Sequence, residues 1–380
     1  MQIEQLMWNT KNGWQKTLQA SNRDINPQLA LFFGESSALE SGKCYFDLRD
    51  LYPNAHIIGC TSAAEIIGEG VYDGSVVVSA VDFENTPISI ASISISTMAD
   101  SFRAGAQLGK ELKRPGLRAA LVISEGIRVN GSELVRGIVS TVGDNIPVTG
   151  GLAGDGTRFQ MTRVGCDSKP EPGRIAGIGF YGPAITIGYG SASGWDPFGP
   201  ERHITRSKGN ILYELDGKPA LELYKRYLGE EADNLPASAL LFPLMVYPAN
   251  NKGSGIVRSV LSVSEDDQSM TFAGDIPQGY TAQLMRANFD CLIDGAEAAA
   301  KIARERNKGN EAKLAILISC VGRKMVLGQR IADEVEAVHE ILGHDVAQIG
   351  FYSYGGISPH VSTGICELHN QTMTITLISE

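Results

Sequence analysis

The chain has 380 residues, of which 43% are hydrophobic and 20% are charged, and its formal net charge at pH 7 is −10. This length and composition predict two domains with ordinary hydrophobic cores, and they exclude a disordered, fibrous or disulfide-framed protein. The acidic balance also argues against nucleic acid as a partner, because such a surface repels phosphate backbones.

Membrane insertion and secretion are disfavoured as well. The longest apolar stretch, residues 239–246, is much shorter than the roughly 20 residues that a spanning helix needs. The N-terminus lacks the basic and apolar regions of a signal peptide. The six cysteines are scattered without a CxxC pair, which is typical of free thiols in a reducing compartment. We therefore expect a cytoplasmic protein with no membrane partner.

Three segments repeat one plan of apolar run, helix, second apolar run and glycine-rich turn. Measured from the first leucine to a glycine in the second run, they cover residues 29–59, 117–150 and 314–350. A crossover of this length predicts two parallel strands with a right-handed connection. Each segment is therefore predicted to be a strand–helix–strand unit that ends in a flexible turn.

The helices of the second and third segments carry local signals. Asn130 stands three residues before Glu133, as in a capping pair, at the start of a helix predicted over about 131–142. The predicted helix of the third segment has an apolar stripe at helical spacing, formed by Ile331, Val335, Val338 and Leu342. Such a stripe is more typical of a core face than of a cofactor surface.

The remaining apolar runs are expected to form antiparallel hairpins. The predicted pairs are residues 75–83 with 88–96, 174–182 with 184–192, and 257–263 with 270–274. The fold class is therefore α/β, with two domains of mixed sheets built from the repeated strand–helix–strand–glycine-turn units plus antiparallel hairpins.

The stretch from residue 195 to 210 is rich in glycine, serine and proline, which favours a domain boundary. We accordingly predict an N-terminal segment (1–28), a first domain (29–194), a linker or interdomain segment (195–210) and a second domain (211–380).

Familiar catalytic motifs are missing from the sequence. Residues 177–182 match GxGxxG, but Pro183 and another apolar run follow, whereas a dinucleotide site needs a helix there. The chain also lacks the Walker A, GxSxG and HExxH patterns. We therefore expect that this protein is not an enzyme. The alternative is an unfamiliar site that uses Cys60 or Cys320 as the nucleophile, which requires a lowered thiol pKa.

The turns after the parallel strands are the candidate site, because ligands of open α/β sheets bind at the carboxyl ends of the strands. One such turn alone is more often purely structural, but three equivalent turns favour a shared ligand site. Asp155 is expected to hold an ammonium group and Arg323 a carboxylate. The full set of candidate ligand-binding residues is Cys60, Thr61, Ser62, Glu65, Gly151, Asp155, Trp195, Ser319, Cys320, Arg323, Tyr352, Tyr354 and Asn370.

Several long stretches resemble the FIST proteins, which have an N-terminal and a C-terminal FIST region. The most specific are GGLAGDGTRFQMT, ELDGKPALELYKRYLG and LHNQTMTIT, and the resemblance extends from about residue 29 to the end of the chain. One departure is visible at Gly356, where the family pattern has Glu. This departure places in doubt any ligand specificity taken over from relatives.

The resemblance implies a sensory protein without catalytic activity. It would bind a small ligand such as an amino acid in a strand-end or interdomain cleft and signal to a separate partner. A histidine kinase or a cyclic-dinucleotide signalling protein is the implied partner class, and homodimerisation is a further expectation.

Similarity to stand-alone bacterial members gives a second interpretation, a haem-binding nitric-oxide sensor that regulates a histidine kinase. Because the chain has no CxxCH motif, this haem b would be held non-covalently. His369 in LHNQT is then the candidate iron ligand, with Cys320 as the runner-up.

Overall fold

The computed structural model describes residues 1–18, 25–235 and 237–380. Within these residues the helices are α1 (Ser36–Glu40), α2 (Lys43–Leu51), α3 (Ser101–Leu112), α4 (Gly131–Val142), α5 (Ala220–Leu228), α6 (Phe289–Arg306), α7 (Val321–Leu327) and α8 (Ile331–Leu342). The strands are β1 (Gln2–Asn9), β2 (Gly13–Leu18), β3 (Leu29–Glu35), β4 (His56–Ser62), β5 (Glu65–Ile67), β6 (Gly70–Tyr72), β7 (Ser75–Asp82), β8 (Ile88–Ser94), β9 (Leu117–Ser124), β10 (Val148–Leu152), β11 (Val164–Cys166), β12 (Arg174–Tyr181), β13 (Thr186–Ala192), β14 (Asp196–Lys208), β15 (Ile211–Leu215), β16 (Lys218–Pro219), β17 (Leu244–Tyr247), β18 (Ile256–Arg258), β19 (Val260–Ser264), β20 (Ser269–Phe272), β21 (Thr281–Arg286), β22 (Leu314–Cys320), β23 (Ala347–Ser353), β24 (Gly355–Pro359), β25 (Cys366–His369) and β26 (Met373–Ser379).

The three predicted strand–helix–strand units are present, and the α/β class is confirmed. β3 pairs in parallel with β4, β9 with β10, and β22 with β23. The predicted cap of α4 is also formed, since the Asn130 side chain accepts a hydrogen bond from the Glu133 N–H at 3.2 Å. Local sequence signals were therefore sufficient to define each unit.

Each unit has a glycine at the equivalent position of its second strand, where the backbone passes very close to the neighbouring strand. A Cβ atom at Gly59, Gly150 or Gly350 would lie only 1.8–1.9 Å from a carbonyl oxygen of the neighbouring parallel strand. No side chain fits at such a distance, so glycine is required at the same position of all three units.

Each unit belongs to a different sheet, and the strands that follow the units are exchanged between the sheets. The first sheet has the order β11-β4-β3-β7-β1-β2, the second β25-β24-β10-β9-β12-β8, and the third β6-β5-β23-β22-β26-β13. β5 and β6 follow unit one but extend the sheet of unit three. β24 and β25 follow unit three but extend the sheet of unit two, and β11 follows unit two but extends the sheet of unit one. The exchange is thus cyclic.

The inner faces of the three sheets share one hydrophobic core. This core includes Phe33 from the first sheet, Leu121 from the second and Ile316 from the third, all 0–1% exposed. The rings of Phe33 and Phe351 stack across it with 4.5 Å between centroids. The helices pack on the outer faces: α1 and α2 on the first sheet, α3 and α4 on the second, and α6 and α8 on the third. We call this assembly the three-unit body.

The predicted linker is instead a long strand. Asp196–Lys208 form β14, which pairs with β21 and β15 at the centre of a separate antiparallel sheet of order β18-β17-β21-β14-β15-β20-β19. Gly199 and Pro200 suggested a loop, but they lie in an irregularity between Phe198 and Arg202 that the ladder tolerates. This sheet and α5 enclose their own core around Phe272. We call residues 196–286 the inserted β domain.

Two of the three expected hairpins are not hairpins. β7 lies in the first sheet while β8 pairs with β12 in the second, and β13 pairs with β26 in the third. Only β19 and β20 pair with each other as expected. The apolar alternation predicted the strands correctly, but it carried no information on their partners.

Candidate functional site

The ends of the three units meet in a closed ring of backbone hydrogen bonds. The N–H of Ala63 donates to the Tyr352 carbonyl at 2.9 Å, that of Gly154 to the Thr61 carbonyl at 3.0 Å, and that of Tyr354 to the Leu152 carbonyl at 3.2 Å. Donors and acceptors occupy equivalent positions of the three units. The turns therefore converge, but they contact one another directly and leave the ligand space to one side.

A cavity of 510 Å³ opens beside this ring, between the three-unit body and the inserted β domain. From the three-unit body it is lined by Leu152, Tyr354 and Cys320, and from the β domain by Val260 and Phe272. Its size is within the range of small-molecule sites. A ligand in this cavity would contact both parts of the molecule.

The walls of this cavity are largely apolar and carry no charged side chain among the described residues. Among the described residues that line it, none is Asp, Glu, Lys, Arg or His. Met98, Phe159, Leu261 and Met325 are large apolar side chains that remain 37–43% exposed, and all four line the cavity. Exposed apolar side chains that gather around one opening are a mark of a binding site.

Ser259 supplies a polar group in these walls. It lines the cavity, is 4% exposed, and its Oγ has no hydrogen-bond partner among the described residues. An unpartnered buried hydroxyl costs free energy, so it is a natural contact for a polar atom of a ligand.

Comparison with known families agrees with this architecture. A model of the FIST N domain matches residues 28–218, and a model of the FIST C domain matches residues 220–359. The chain belongs to the FIST family. FIST domains are sensory, small-ligand-binding domains of signal transduction. Comparison with curated proteins found no significant match.

In this FIST protein the first turn is packed inside the molecule. Cys60, Thr61, Ser62 and Glu65 are all 0–1% exposed. The Glu65 carboxylate accepts hydrogen bonds from the Ser62 hydroxyl and, at 2.8 Å, from the Ser75 hydroxyl. These predicted site residues lie outside the cavity walls.

Asp155 has a structural role rather than the predicted contact with a ligand ammonium. Its carboxylate accepts the backbone N–H groups of Phe159, Gln160 and Met161 at 2.9–3.0 Å and the hydroxyl of Tyr354. With 2% of its surface exposed, it has no free face for a ligand. Asp155 instead holds the loop that contains Phe159, whose ring stacks on the Tyr354 ring at the cavity, with 4.4 Å between centroids.

Arg323, predicted to hold a carboxylate, is fully buried and ion-paired with Glu334 at 2.6 Å. The Ser319 and Tyr352 hydroxyls donate to the same Glu334 carboxylate at 2.9 and 2.5 Å. Arg323 also donates to the backbone carbonyl of Leu292 at 2.6 Å. The predicted carboxylate is therefore supplied by the protein itself. Sequence reasoning missed Glu334, although it lies on the same helical face as the apolar stripe of α8.

The other predicted residues also make internal contacts. The Trp195 indole N–H donates to the Gln371 carbonyl at 3.0 Å, and the Asn370 amide donates to the Tyr354 carbonyl at 3.4 Å. Gly151 pairs with Gly356 between β10 and β24. A Cβ at Gly356 would lie 2.5 Å from Thr374 Oγ1, so a glutamate at this position would require the Thr374 side chain to shift.

The thiols do not resemble catalytic nucleophiles. Cys60 and Cys320 are 0% and 3% exposed, and burial raises the pKa of both thiols. A nucleophilic cysteine needs the opposite shift. Of the predicted site residues, only Cys320 and Tyr354 line the cavity, and we interpret Cys320 as a neutral wall residue.

His369, the candidate haem ligand, lies at a different place. It lines a second cavity of 520 Å³ together with His360, and the two rings stack with 6.0 Å between centroids. Burial lowers the pKa of His369 to about 3, so the ring is neutral, as a metal ligand must be. However, its Nε2 lies 2.9 Å from the Ser358 carbonyl, and an iron ion at Nε2 would have to displace that carbonyl. Haem binding stays a prediction.

The described residues contain no helix with the length and apolar character needed to cross a membrane. The cytoplasmic location, the histidine kinase or cyclic-dinucleotide partner and the homodimer stay predictions.

Proposed function

We propose that this protein senses an uncharged, largely apolar small molecule in the 510 Å³ cavity between the three-unit body and the inserted β domain. The observation that carries the proposal is the absence of charge among the described residues of the cavity wall, combined with its exposed apolar rim. An ionised ligand would lose its hydration there without gaining an ionic partner.

The proposed ligand class differs from the free amino acid that the sequence suggested. A zwitterion needs a carboxylate for its ammonium group and a cation for its carboxylate, and Asp155 and Arg323 are both engaged by protein groups. A ligand with a hydrocarbon body and one polar atom fits better, because the body contacts Val260 and Phe272 while the polar atom contacts Ser259. Apolar burial contributes about 25 cal/mol per Å², so the hydrocarbon contacts would supply most of the affinity.

The signal would follow from the position of the cavity. A ligand that contacts both the three-unit body and the β domain stabilises the arrangement in which both walls are close. A tenfold preference for that arrangement corresponds to about 1.4 kcal/mol of coupling. We propose that a separate partner protein reads this change.

The test uses a neutral apolar dye, 1-N-phenylnaphthylamine, whose fluorescence rises in apolar surroundings. We expect the full chain to bind it and the substitution Leu261→Lys to weaken binding by at least about tenfold, since it places a charge at the rim. Leu261 is 40% exposed, so the fold should tolerate the change.

The matched control is Leu51→Lys, at a leucine on α2 that is 53% exposed and does not line the cavity. Competition of the dye by uncharged metabolites, and not by the twenty amino acids, would support the proposal. Equal dye binding by the two variants, or displacement by amino acids alone, would contradict it.

A further inference from the structure

A second cluster of chemically active side chains lies outside the walls of the ligand cavity. Glu69 is in the turn between β5 and β6, while His339 is on α8 and His344 follows that helix. One ligand atom of each of these three residues lies within 4.8 Å of the others. Because β5 and β6 are the hairpin exchanged from unit one, the cluster joins unit one to unit three.

We propose that Glu69, His339 and His344 form a binding site for a divalent transition-metal ion, with Zn²⁺ as the type case. Two imidazoles and one carboxylate are a ligand set that such ions accept, and a fourth position would remain open to water or an exogenous ligand.

The distances fit this assignment. His339 Nε2 lies 2.8 Å from His344 Nδ1 and 2.9 Å from Glu69 Oε1, and the last two atoms are 3.9 Å apart. Ligand atoms on a tetrahedral zinc ion are separated by about 3.3–3.6 Å, given bonds of about 2.0–2.2 Å. Two separations must therefore increase and one must decrease, each by less than about 1 Å. His344 and Glu69 are exposed side chains that can make these shifts.

The nitrogen of His339 on the opposite side of its ring supports the same conclusion. Its Nδ1 lies 2.5 Å from the side-chain amide of Gln348, a residue that is 1% exposed. The Oε1 atom of this amide is buried without a hydrogen-bond partner among the described residues. A 180° rotation of the amide lets Oε1 accept the Nδ1 proton of His339. The lone pair of Nε2 then faces Glu69 and His344, which is how a second-shell carbonyl prepares a histidine for a metal.

A metal ion here would connect the exchanged hairpin to α8. The same helix carries Glu334, the centre of the buried ion-pair network. Metal binding would therefore secure the contact between units one and three, and its stabilisation of the folded chain would grow with the logarithm of the free metal concentration above the dissociation constant.

The experiment is a titration of the full chain, freed of metal by chelation, with Zn²⁺ in the presence of a competing chelator dye. We expect one Zn²⁺ per chain, with Glu69→Ala and His344→Ala each raising the dissociation constant by at least about tenfold. Loss of even a second-shell partner costs about 10–100-fold. Both side chains are exposed, at 57% and 89%, so the variants should fold. The control is His203→Ala, at an exposed histidine of the β domain.

Co²⁺ gives an independent readout. We expect visible bands of tetrahedral cobalt in the parent chain and their loss in Glu69→Ala and His344→Ala. The proposal would be overturned if the parent chain failed to bind Zn²⁺ or if both variants retained binding. A strong sulfur-to-cobalt band would also overturn it, because that band would assign the metal to cysteine.

Discussion

Glu65 makes the stability of this protein depend on pH in a direction that is unusual for a carboxylate. Its side chain is 0% exposed, and burial raises its pKa from 4.5 to about 7, despite hydrogen bonds from Ser62 and Ser75. The folded state therefore holds a proton that the unfolded state releases above about pH 4.5. The stabilisation is complete below that pH and is lost as the pH rises through 7.

The magnitude follows from the shift of the pKa. Each unit corresponds to about 1.4 kcal/mol, so the whole effect is about 3 kcal/mol, of which roughly 2–3 kcal/mol is lost between pH 5 and pH 8. Glu65→Gln keeps the size of the side chain but is neutral throughout. Relative to the parent, this variant should gain 2–3 kcal/mol over the same interval.

The assay is urea unfolding of the parent and of Glu65→Gln at pH 5 and pH 8, compared as a difference so that other titrating groups cancel. Glu311→Gln is the control, because the Glu311 side chain is 88% exposed. If the parent and Glu65→Gln change in parallel with pH, then Glu65 is ionised in the folded state and the reasoning from its burial is refuted.

Three further predictions concern the ion pair, the strand glycines and the thiols. Arg323→Met should lower the free energy of unfolding by about 3–5 kcal/mol in urea unfolding, because it leaves the Glu334 carboxylate buried without its cation. The double variant, Arg323→Met with Glu334→Met, should recover part of this loss. Gly150→Ala should prevent the accumulation of folded protein, as measured by expression level and circular dichroism, because the added Cβ would lie 1.9 Å from a carbonyl oxygen. Gly253→Ala should be neutral, because the single atom near its added Cβ is 3.5 Å away. Cys320 should resist iodoacetamide at pH 7 until the protein is unfolded, because burial raises its pKa, and rapid labelling of the folded chain would show that this thiol is reactive.

The sequence was sufficient for features that depend on neighbouring residues. The apolar runs and helix signals predicted each strand–helix–strand unit, because a crossover of 30–40 residues has few alternatives. The glycines at 59, 150 and 350 were visible as equivalent positions, and their close backbone approach in the structure explains them. From these equivalences the convergence of the turns also followed.

Pairing between distant segments could not be predicted in the same way. Nothing near Glu65 indicates that β5 pairs with β23, and nothing near Gly356 indicates that β24 pairs with β10. The cavity could not be predicted from the sequence for the same reason, since Val260 and Phe272 belong to no motif and lie near Leu152 only in the tertiary fold. Polar residues such as Asp155 and Arg323 suggested a site, but their partners were already within the chain.

The cyclic exchange of strands sets an order of events during synthesis. Ile67 of β5 pairs with Ile349 of β23, so the first hairpin leaves the ribosome long before its partner strand exists. At about 5–20 residues per second, that delay lasts roughly 15–60 s. Throughout it the nascent chain presents an unpaired strand edge, which is a template for self-association. Until β23 has been made, we therefore expect this edge to be a site of self-association between nascent chains.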